Sequence, residues 1–268
     1  MSAVAATVRH GGGTLEQVTE LARRSVVRTL RQPAQVVPSL IFPLFLLAVN
    51  TGGLDAATHL PGFPTDSYLS FALAVPFIQA GIFAVANGGT DFARDIETGF
   101  LDRLSLTPIS GLALVAGQLA GVVALGLFQA MVFLAVGLAA GAGFEAGVAG
   151  FFVLVALATA IVLAFGAIGV YAALRFGTGE AVQGLFPLTF VFLFLSSMAL
   201  PRDLIEQDWF RTVATWNPVS YMIEAVRSLV ITGWDGEALA LGFGAAFGIA
   251  AVFLALSSRA LRARFGRT

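Results

Sequence analysis

Several side-chain types are missing or scarce, and each absence removes a class of chemistry. The 268-residue chain has no cysteine, which excludes disulfides and thiolate chemistry. It has no lysine either: all fifteen basic residues are arginine. A GxxxxGK[ST] phosphate loop, a Schiff base and a pyridoxal-phosphate anchor are therefore excluded. Only His10 and His59 supply imidazole, far apart in sequence and outside any HExxH pattern. Charge is sparse, at 12% against 57% hydrophobic residues, where soluble domains carry about 25% charged residues. Mean hydropathy is +0.87, the value of a polytopic membrane protein. Net charge is −1, so the total says nothing about partners, but its distribution does.

Six apolar runs are long enough to span a bilayer, which takes about 20 residues. They are 34–52, 67–89, 112–142, 148–174, 182–200 and 238–257. Pro38 and Pro43 in the first, Pro76 in the second and Pro187 in the fifth predict bends. Around this six-span unit (33–258) lie a small, polar stretch 1–13, expected as a disordered cytoplasmic tail without a signal peptide, and a basic tail 259–268. Residues 14–32 predict an amphipathic helix with Thr14 and Gln17 at capping-box spacing and Pro33 at its end. Leu15, Val18, Ala22, Val26 and Leu30 make one stripe, with Glu20, Arg24, Arg28 and Arg31 opposite. This pattern suits a helix on an anionic membrane surface, and also a solvated helix packed on a neighbour.

The arginines orient the bundle. Twelve of them (9, 23, 24, 28, 31, 94, 103, 175, 259, 262, 264 and 267) fall on one side of a six-span topology, against Arg202, Arg211 and Arg227 on the other. The positive-inside rule then places both termini in the cytoplasm.

Two connections stand out. The first, 91–111, reads DFARDIETGFLDRLSLTPISG and is too charged for hydrocarbon, where each charge costs roughly 2.5–3.5 kcal/mol. It is expected in water or against another protein, as a short helix ending at Pro108. The second, 201–237, holds all three tryptophans and two short helical patterns meeting at Asn217-Pro218, a good cap followed by a good first-turn residue. Neither half can span a bilayer. Two readings are open: re-entrant helices in the outer leaflet or an ordinary outer loop. Within the second, Glu224 is expected to reach Arg227 or Ser228.

Polar groups inside spans are few. Gln79, Phe83, Asn87 and Thr90 share one face of the second run, and Gln183, Phe186, Phe190, Phe194 and Ser197 one face of the fifth. Amides among rings suit a pathway for amphipathic or aromatic molecules, or else helix–helix hydrogen bonds and lipid-facing rings. No acidic or basic side chain is expected deep in a span, so the energy for any transport comes from outside the membrane region. Gly117/Gly121, Gly137/Gly141 and Gly244/Gly248 are small-xxx-small pairs suited to close helix packing. Asp91, Asp95, Glu97 and Asp102 invite a metal-dependent, lipid-modifying enzyme, but their spacing fails the phosphatidyltransferase pattern: Gly99 stands three residues, not four, before Asp102.

Three pieces in order resemble the membrane subunit of ABC exporters of the type-2 permease family, including the daunorubicin-resistance-like permeases of actinobacteria. Arg94-Asp95-Ile96-Glu97-Thr98-Gly99 through Arg103-Leu104 to Thr107-Pro108-Ile109-Ser110 is similar to that family's charged cytoplasmic loop. Trp216-Asn217-Pro218-Val219-Ser220-Tyr221 with Glu224-Ala225 and Arg227 is similar to its segment before the last span. The amphipathic helix before the first span is the third. The resemblance covers nearly the whole chain. It implies an all-α integral membrane fold with six spans, an interface helix, a coupling helix and re-entrant helices. It implies no catalysis and no cofactor on this chain, with ATP and Mg held by two copies of a partner ATPase, and a second permease copy completing the pathway. Asp95, Glu97, Gly99, Leu101, Asp102, Arg103, Leu104, Thr107 and Pro108 would form the coupling surface, with Leu101, Leu104 and Leu106 inserting into the ATPase. Gln79, Phe83, Asn87, Gln183, Phe186, Phe190 and Phe194 would line the pathway. Trp216, Asn217, Pro218, Tyr221, Glu224 and Arg227 would build the outer cap. A permease-like assembly subunit is a further alternative. Drugs, lipids, glycolipids and polysaccharides all remain candidate cargo. A lysine-free composition rich in Ala, Gly and Arg points to a GC-rich bacterium such as an actinobacterium.

Overall fold

The computed structural model describes residues 14–101 and 111–265. The expected tail 1–13, Asp102, Arg103, Leu104, Leu106, Thr107 and Pro108 lie outside the described residues, as do the last three residues. Among those described the chain is helical, with no strand. In order the helices are α1 (Thr14–Leu30), α2 (Pro33–Leu54), α3 (Tyr68–Ala72), α4 (Ala74–Glu97), α5 (Gly111–Ala139), α6 (Gly147–Phe176), α7 (Gly179–Phe194), α8 (Asp208–Trp216), α9 (Pro218–Ile231) and α10 (Gly236–Phe265).

Five segments have the length and apolarity to cross a membrane: Pro33–His59, Tyr68–Glu97, Leu114–Ala139, Gly147–Phe176 and Gly236–Ala263. The fifth expected span differs. Its helix α7 covers 16 residues, ends at Phe194 and gives way to turns through Leu200. At 1.5 Å per residue it reaches about 24 Å, short of the roughly 30 Å hydrocarbon core.

Prolines act as their chemistry requires. Pro76 has no N–H for the Ala72 carbonyl, and the second span breaks at Leu73, between α3 and α4. Pro33 does not end α1, which stops at Leu30. It opens α2 at the first turn, where its missing donor costs nothing. Pro38, Pro43 and Pro187 lie inside unbroken helices.

The central element is α4. Its partners are α6 on one side, with α2, α5, α7 and α9 around the rest. Glycine sets the closest of these contacts. A Cβ on Gly169 of α6 would lie 2.4 Å from the Val85 carbonyl oxygen, and one on Gly89 of α4 would lie 2.8 Å from the Gly169 carbonyl oxygen. The large core around Tyr68, Phe71, Phe77, Phe133 and Leu157 fills the end of the bundle away from the termini. A second cluster of Phe92, Leu101, Leu114, Val182 and Leu261 closes the end where α1 begins and α10 stops.

The predicted stripe on α1 is rotated. The side chains of Leu15, Val18 and Leu30, and of the Thr14–Gln17 pair, lie outside the described residues. Of the rest, Ala22 and Val26 are half-buried, whereas Ser25 and Thr29 are buried. The contact face is therefore turned roughly a quarter turn from the apolar stripe. Two causes are visible. A Cβ on Gly117 or Gly121 of α5 would lie 2.4 Å from Leu21 Cβ or 2.3 Å from Ser25 Oγ, so α1 seats directly on that glycine pair. Arg28 is also drawn to carboxylates of α4. Of the other small pairs, Gly137 packs on Leu73, while Gly141, Gly244 and Gly248 have nothing within 4 Å.

Candidate functional site

At the end near the termini, the charged connection begins inside α4 rather than in a loop. Asp91 and Asp95 are buried, at 2% and 5% exposure. They are tolerated because α1 supplies cations. Arg28 sits between them, with Nε 3.4 Å from Asp91 Oδ2 and Nη1 donating to Asp95 Oδ1 at 3.0 Å. Its Nη2 donates to Gln118 Oε1 at 3.3 Å, which adds α5 to the junction. Arg24 donates to the same Asp95 oxygen at 3.1 Å, and its guanidinium lies 3.9 Å over the Phe100 ring. The expectation that these carboxylates face water or a second protein is corrected: they face the chain's own first helix. Arg23 and Arg31 stay exposed.

Beyond Asp95 the backbone turns. Gly99 has φ +65°, a left-handed conformation that favours glycine, and its N–H donates to the Ile96 carbonyl at 3.0 Å. The glycine of Glu-Thr-Gly is thus the stop signal of α4. Glu97 is exposed and accepts from the Gly179 N–H at 2.9 Å, tying the end of α4 to the first turn of α7. Leu101 is fully buried with Phe92 and Leu114. It anchors the connection to the bundle and does not stand free for insertion elsewhere.

The middle of the bundle carries a ladder of aromatic rings. Phe83 of α4 lies 5.2 Å from Phe186 of α7. Phe186 lies 5.1 Å from Phe190, and Phe190 lies 6.1 Å from Phe194. Phe42 of α2 closes the group, 6.3 Å from Phe83 and 5.8 Å from Phe190. The spacing of α7 predicted three of these rings. Phe42 was not foreseen, because α2 has apolar residues on all sides and no stripe to single it out. The face is open at its edge: Phe194 is 55% exposed and Phe42 40%, while Phe83, Phe186 and Phe190 are half-buried. Gln183 is exposed and its Nε2 lies 3.5 Å from Thr90 Oγ1. Asn87 is half-buried and its Nδ2 has no partner among the described residues. Gln79 departs from the expectation. It is wholly buried, with neither amide atom partnered among the described residues, so it lies off the open face.

At the far end, α9 repairs the broken end of α7. Polar side chains at 217, 220, 224 and 227 recur at helical spacing and all engage residues 192–198 or the turn after them. Asn217 caps α9 by accepting from Val219 N–H at 3.0 Å, while its Nδ2 donates to the carbonyls of Phe192 and Leu195 at 2.6 and 3.0 Å. Ser220 Oγ accepts from Ser197 N–H at 3.1 Å. Glu224 takes Ser197 Oγ–H at 3.0 Å and pairs with Arg202. Arg227 donates to the carbonyls of Phe71, Ser197 and Met198 at 3.2, 3.2 and 3.4 Å, with its guanidinium 3.4 Å over the Phe71 ring. Buried irregular backbone needs partners for its carbonyls, and this helix face provides them. The expected Glu224–Arg227 pair is corrected: each side chain reaches across to the 195–202 turn, and Ser228 Oγ donates to the Ala225 carbonyl of its own helix. Ser197, expected on the ring face of the fifth run, and Ser220, expected only as part of the Trp216–Tyr221 motif, instead join α9 to the turn after α7, and the 217/220/224/227 spacing is the signal that points to it. Tyr221 donates to the Thr215 carbonyl at 2.7 Å and carries Arg202 over its ring at 4.7 Å. Burial opposes the charge on Arg202, but the Glu224 carboxylate outweighs it and holds the guanidinium above its ordinary pKa. Trp216 is 83% exposed and Pro218 opens α9.

These elements define a multi-pass membrane protein with a charged junction at one end, an open aromatic face and a capped break at the other. The profile of the ABC-2 type transporter family matches residues 16–231, and the chain belongs to that family. It is 30% identical over 245 residues to the daunorubicin resistance ABC transporter permease protein DrrB1 of Streptomyces coeruleorubidus, covering 86% of this chain and 80% of that one. It is 26% identical over 227 residues to the putative transport permease ycf38 of Porphyra purpurea, covering 82% and 76%. The corresponding protein of Cyanophora paradoxa is 22% identical over 220 residues, covering 80% and 74%. The relatives are transport permeases, consistent with a non-enzymatic membrane subunit.

Proposed function

We propose that this chain is the membrane half of an ATP-driven exporter that moves a hydrophobic or amphipathic molecule, a drug, lipid or glycolipid, outward by alternating access. The observation that carries this reading is the five-ring ladder of Phe42, Phe83, Phe186, Phe190 and Phe194 on an open face. Such a face offers stacking to an aromatic or apolar cargo and needs a second copy to enclose it. The daunorubicin-resistance relative favours a planar, amphipathic drug. With no lysine for a nucleotide loop, ATP and Mg sit on a partner ATPase, two copies of which act on 91–111. The chain then resides in a bacterial cytoplasmic membrane as a homodimer, both termini inside. In this arrangement α7 is a short sixth span, and α8 and α9 occupy the outer leaflet.

Phe190 touches four other rings while remaining half-buried, so it is the position at which truncation changes the ladder most. Phe190→Ala is expected to weaken apparent affinity for daunorubicin about tenfold, measured as drug-stimulated ATP hydrolysis by the complex. Unchanged stimulation would remove the ladder from the pathway. Glu97→Ala and Arg103→Ala are expected to uncouple: the ATPase still co-purifies, but substrate no longer accelerates hydrolysis. Full coupling in both variants would move the drive point away from this connection.

The lipid-modifying alternative is not favoured. Asp91 and Asp95 are engaged by Arg28 and Arg24, and Glu97 by the start of α7. An enzyme would have to break these contacts to bind a metal.

A further inference from the structure

A second cleft, apart from the ring ladder, lies at the end of the bundle away from the termini. Its volume is about 540 Å3, and it brings together Arg202, Asp203, Arg211, Glu224, Arg227 and Asp235. These include every arginine of the segment between α7 and α10. The charges balance, but their hydrogen-bonding capacity is only partly used. Arg227 is 6% exposed, and its Nε and Nη2 are occupied by carbonyls. Its Nη1 has no acceptor among the described residues. Arg202 commits Nη2 to Glu224, and Arg211 commits Nη2 to Asp208. A guanidinium has five N–H donors, so all three retain unused ones.

The carboxylates are unequal. Glu224 has both oxygens taken, by Ser197 and Arg202. Asp235 Oδ1 caps α10 through the N–H groups of Glu237 and Ala238, leaving its second oxygen. Asp203 is exposed and paired with no cation among the described residues. Free cationic donors and free carboxylate oxygens thus share one cleft. A simple anion would satisfy the first and be repelled by the second. A zwitterion carrying a phosphate and a primary ammonium satisfies both.

The surroundings indicate where such a group comes from. Trp209, Trp216 and Trp234 are 63%, 83% and 57% exposed and flank this segment. On α8, Trp209, Val213 and Trp216 fall at helical spacing on one exposed stripe. Tryptophan at such positions marks the headgroup level of a bilayer.

We propose that this cleft binds the headgroup of an ethanolamine-type phospholipid in the leaflet opposite the termini. The phosphate sits on the unused donors of Arg227, Arg202 and Arg211, and the ammonium at Asp203 and Asp235. The proposal needs neither the cargo nor the direction of transport.

The three tryptophans are the chain's own probes, since no others occur. The full chain is placed in phosphatidylcholine nanodiscs containing an equal small fraction of tail-brominated phosphatidylethanolamine, phosphatidylglycerol or phosphatidylcholine. Quenching by the ethanolamine lipid is expected to exceed that by either other lipid about threefold. The excess disappears in Arg211→Ala/Asp203→Asn, two exposed positions whose change leaves the fold in place. Equal quenching by the three lipids, or an excess that survives in the double variant, overturns the proposal. Reversal by soluble phosphoethanolamine would assign the cleft to a free zwitterion and overturn the lipid assignment. Reversal by inorganic phosphate alone would overturn the ammonium half.

Discussion

Arg28→Ala is expected to remove most of the folded, ATPase-responsive protein. Among the described residues Arg28 is the one side chain that reaches Asp91, Asp95 and Gln118 together, so its loss takes away the ion-pair partner of buried Asp91 and leaves Asp95 with Arg24 alone at the junction of α1, α4 and α5. Removing one partner of a buried ion pair costs about 3–5 kcal/mol, a large share of a typical stability of about 5–15 kcal/mol. The thermal midpoint of monodisperse protein should fall steeply, and ATPase stimulation should fall with it. Arg28→Ala combined with Asp91→Asn and Asp95→Asn should recover much of the stability, because no buried charge is then left unpaired. If the recovered protein still fails to respond to substrate, the junction transmits force as well as holding the fold. If Arg28→Ala alone behaves as wild type, the junction contributes neither.

Gly169→Val is the second large effect. The new Cβ would stand 2.4 Å from the Val85 carbonyl oxygen and 3.0 Å from Val85 Cα. Both are backbone atoms of α4, so no rotamer change relieves the clash, and α4 and α6 must separate. Overpacking of a core costs typically 1–3 kcal/mol, and a backbone clash between the two most intimately packed helices belongs at or above that upper end. The variant is expected to insert but to lose its cooperative thermal transition. Gly248→Val serves as the control, because its Cβ meets nothing within 4 Å. A Gly169→Val protein as stable as the control would show that the α4–α6 contact is looser than drawn.

The sequence was most informative where chemistry is periodic or punctuated. Apolar runs located the long helices, Asn217-Pro218 marked the start of α9, and Gly99 stopped α4 at the position its φ demands. The ring face of α7 followed from spacing alone. What stayed hidden depends on contacts between distant segments. The burial of Asp91 and Asp95 is legible only once Arg24 and Arg28, about seventy residues earlier, are seen beside them. The rotation of α1 depends on Gly117 and Gly121 of α5. Phe42 joins the ladder through the crossing of α2 over α4 and α7. The roles of Glu224 and Arg227 were misassigned to each other because local i,i+3 reach was considered and the broken end of α7 was not. Hydropathy also overestimated α7, since it registers apolar content and not where a helix loses its hydrogen bonds.

Reconstitution tests the central claim most directly. The chain is sealed into liposomes with its cognate ATPase oriented so that added ATP reaches it, and accumulation of a fluorescent molecule of the proposed amphipathic cargo class is followed. Uphill movement that requires the ATPase, ATP and Mg, and is absent from liposomes holding this chain alone, is the predicted result. Concentrative movement by the chain without an ATPase would contradict the account.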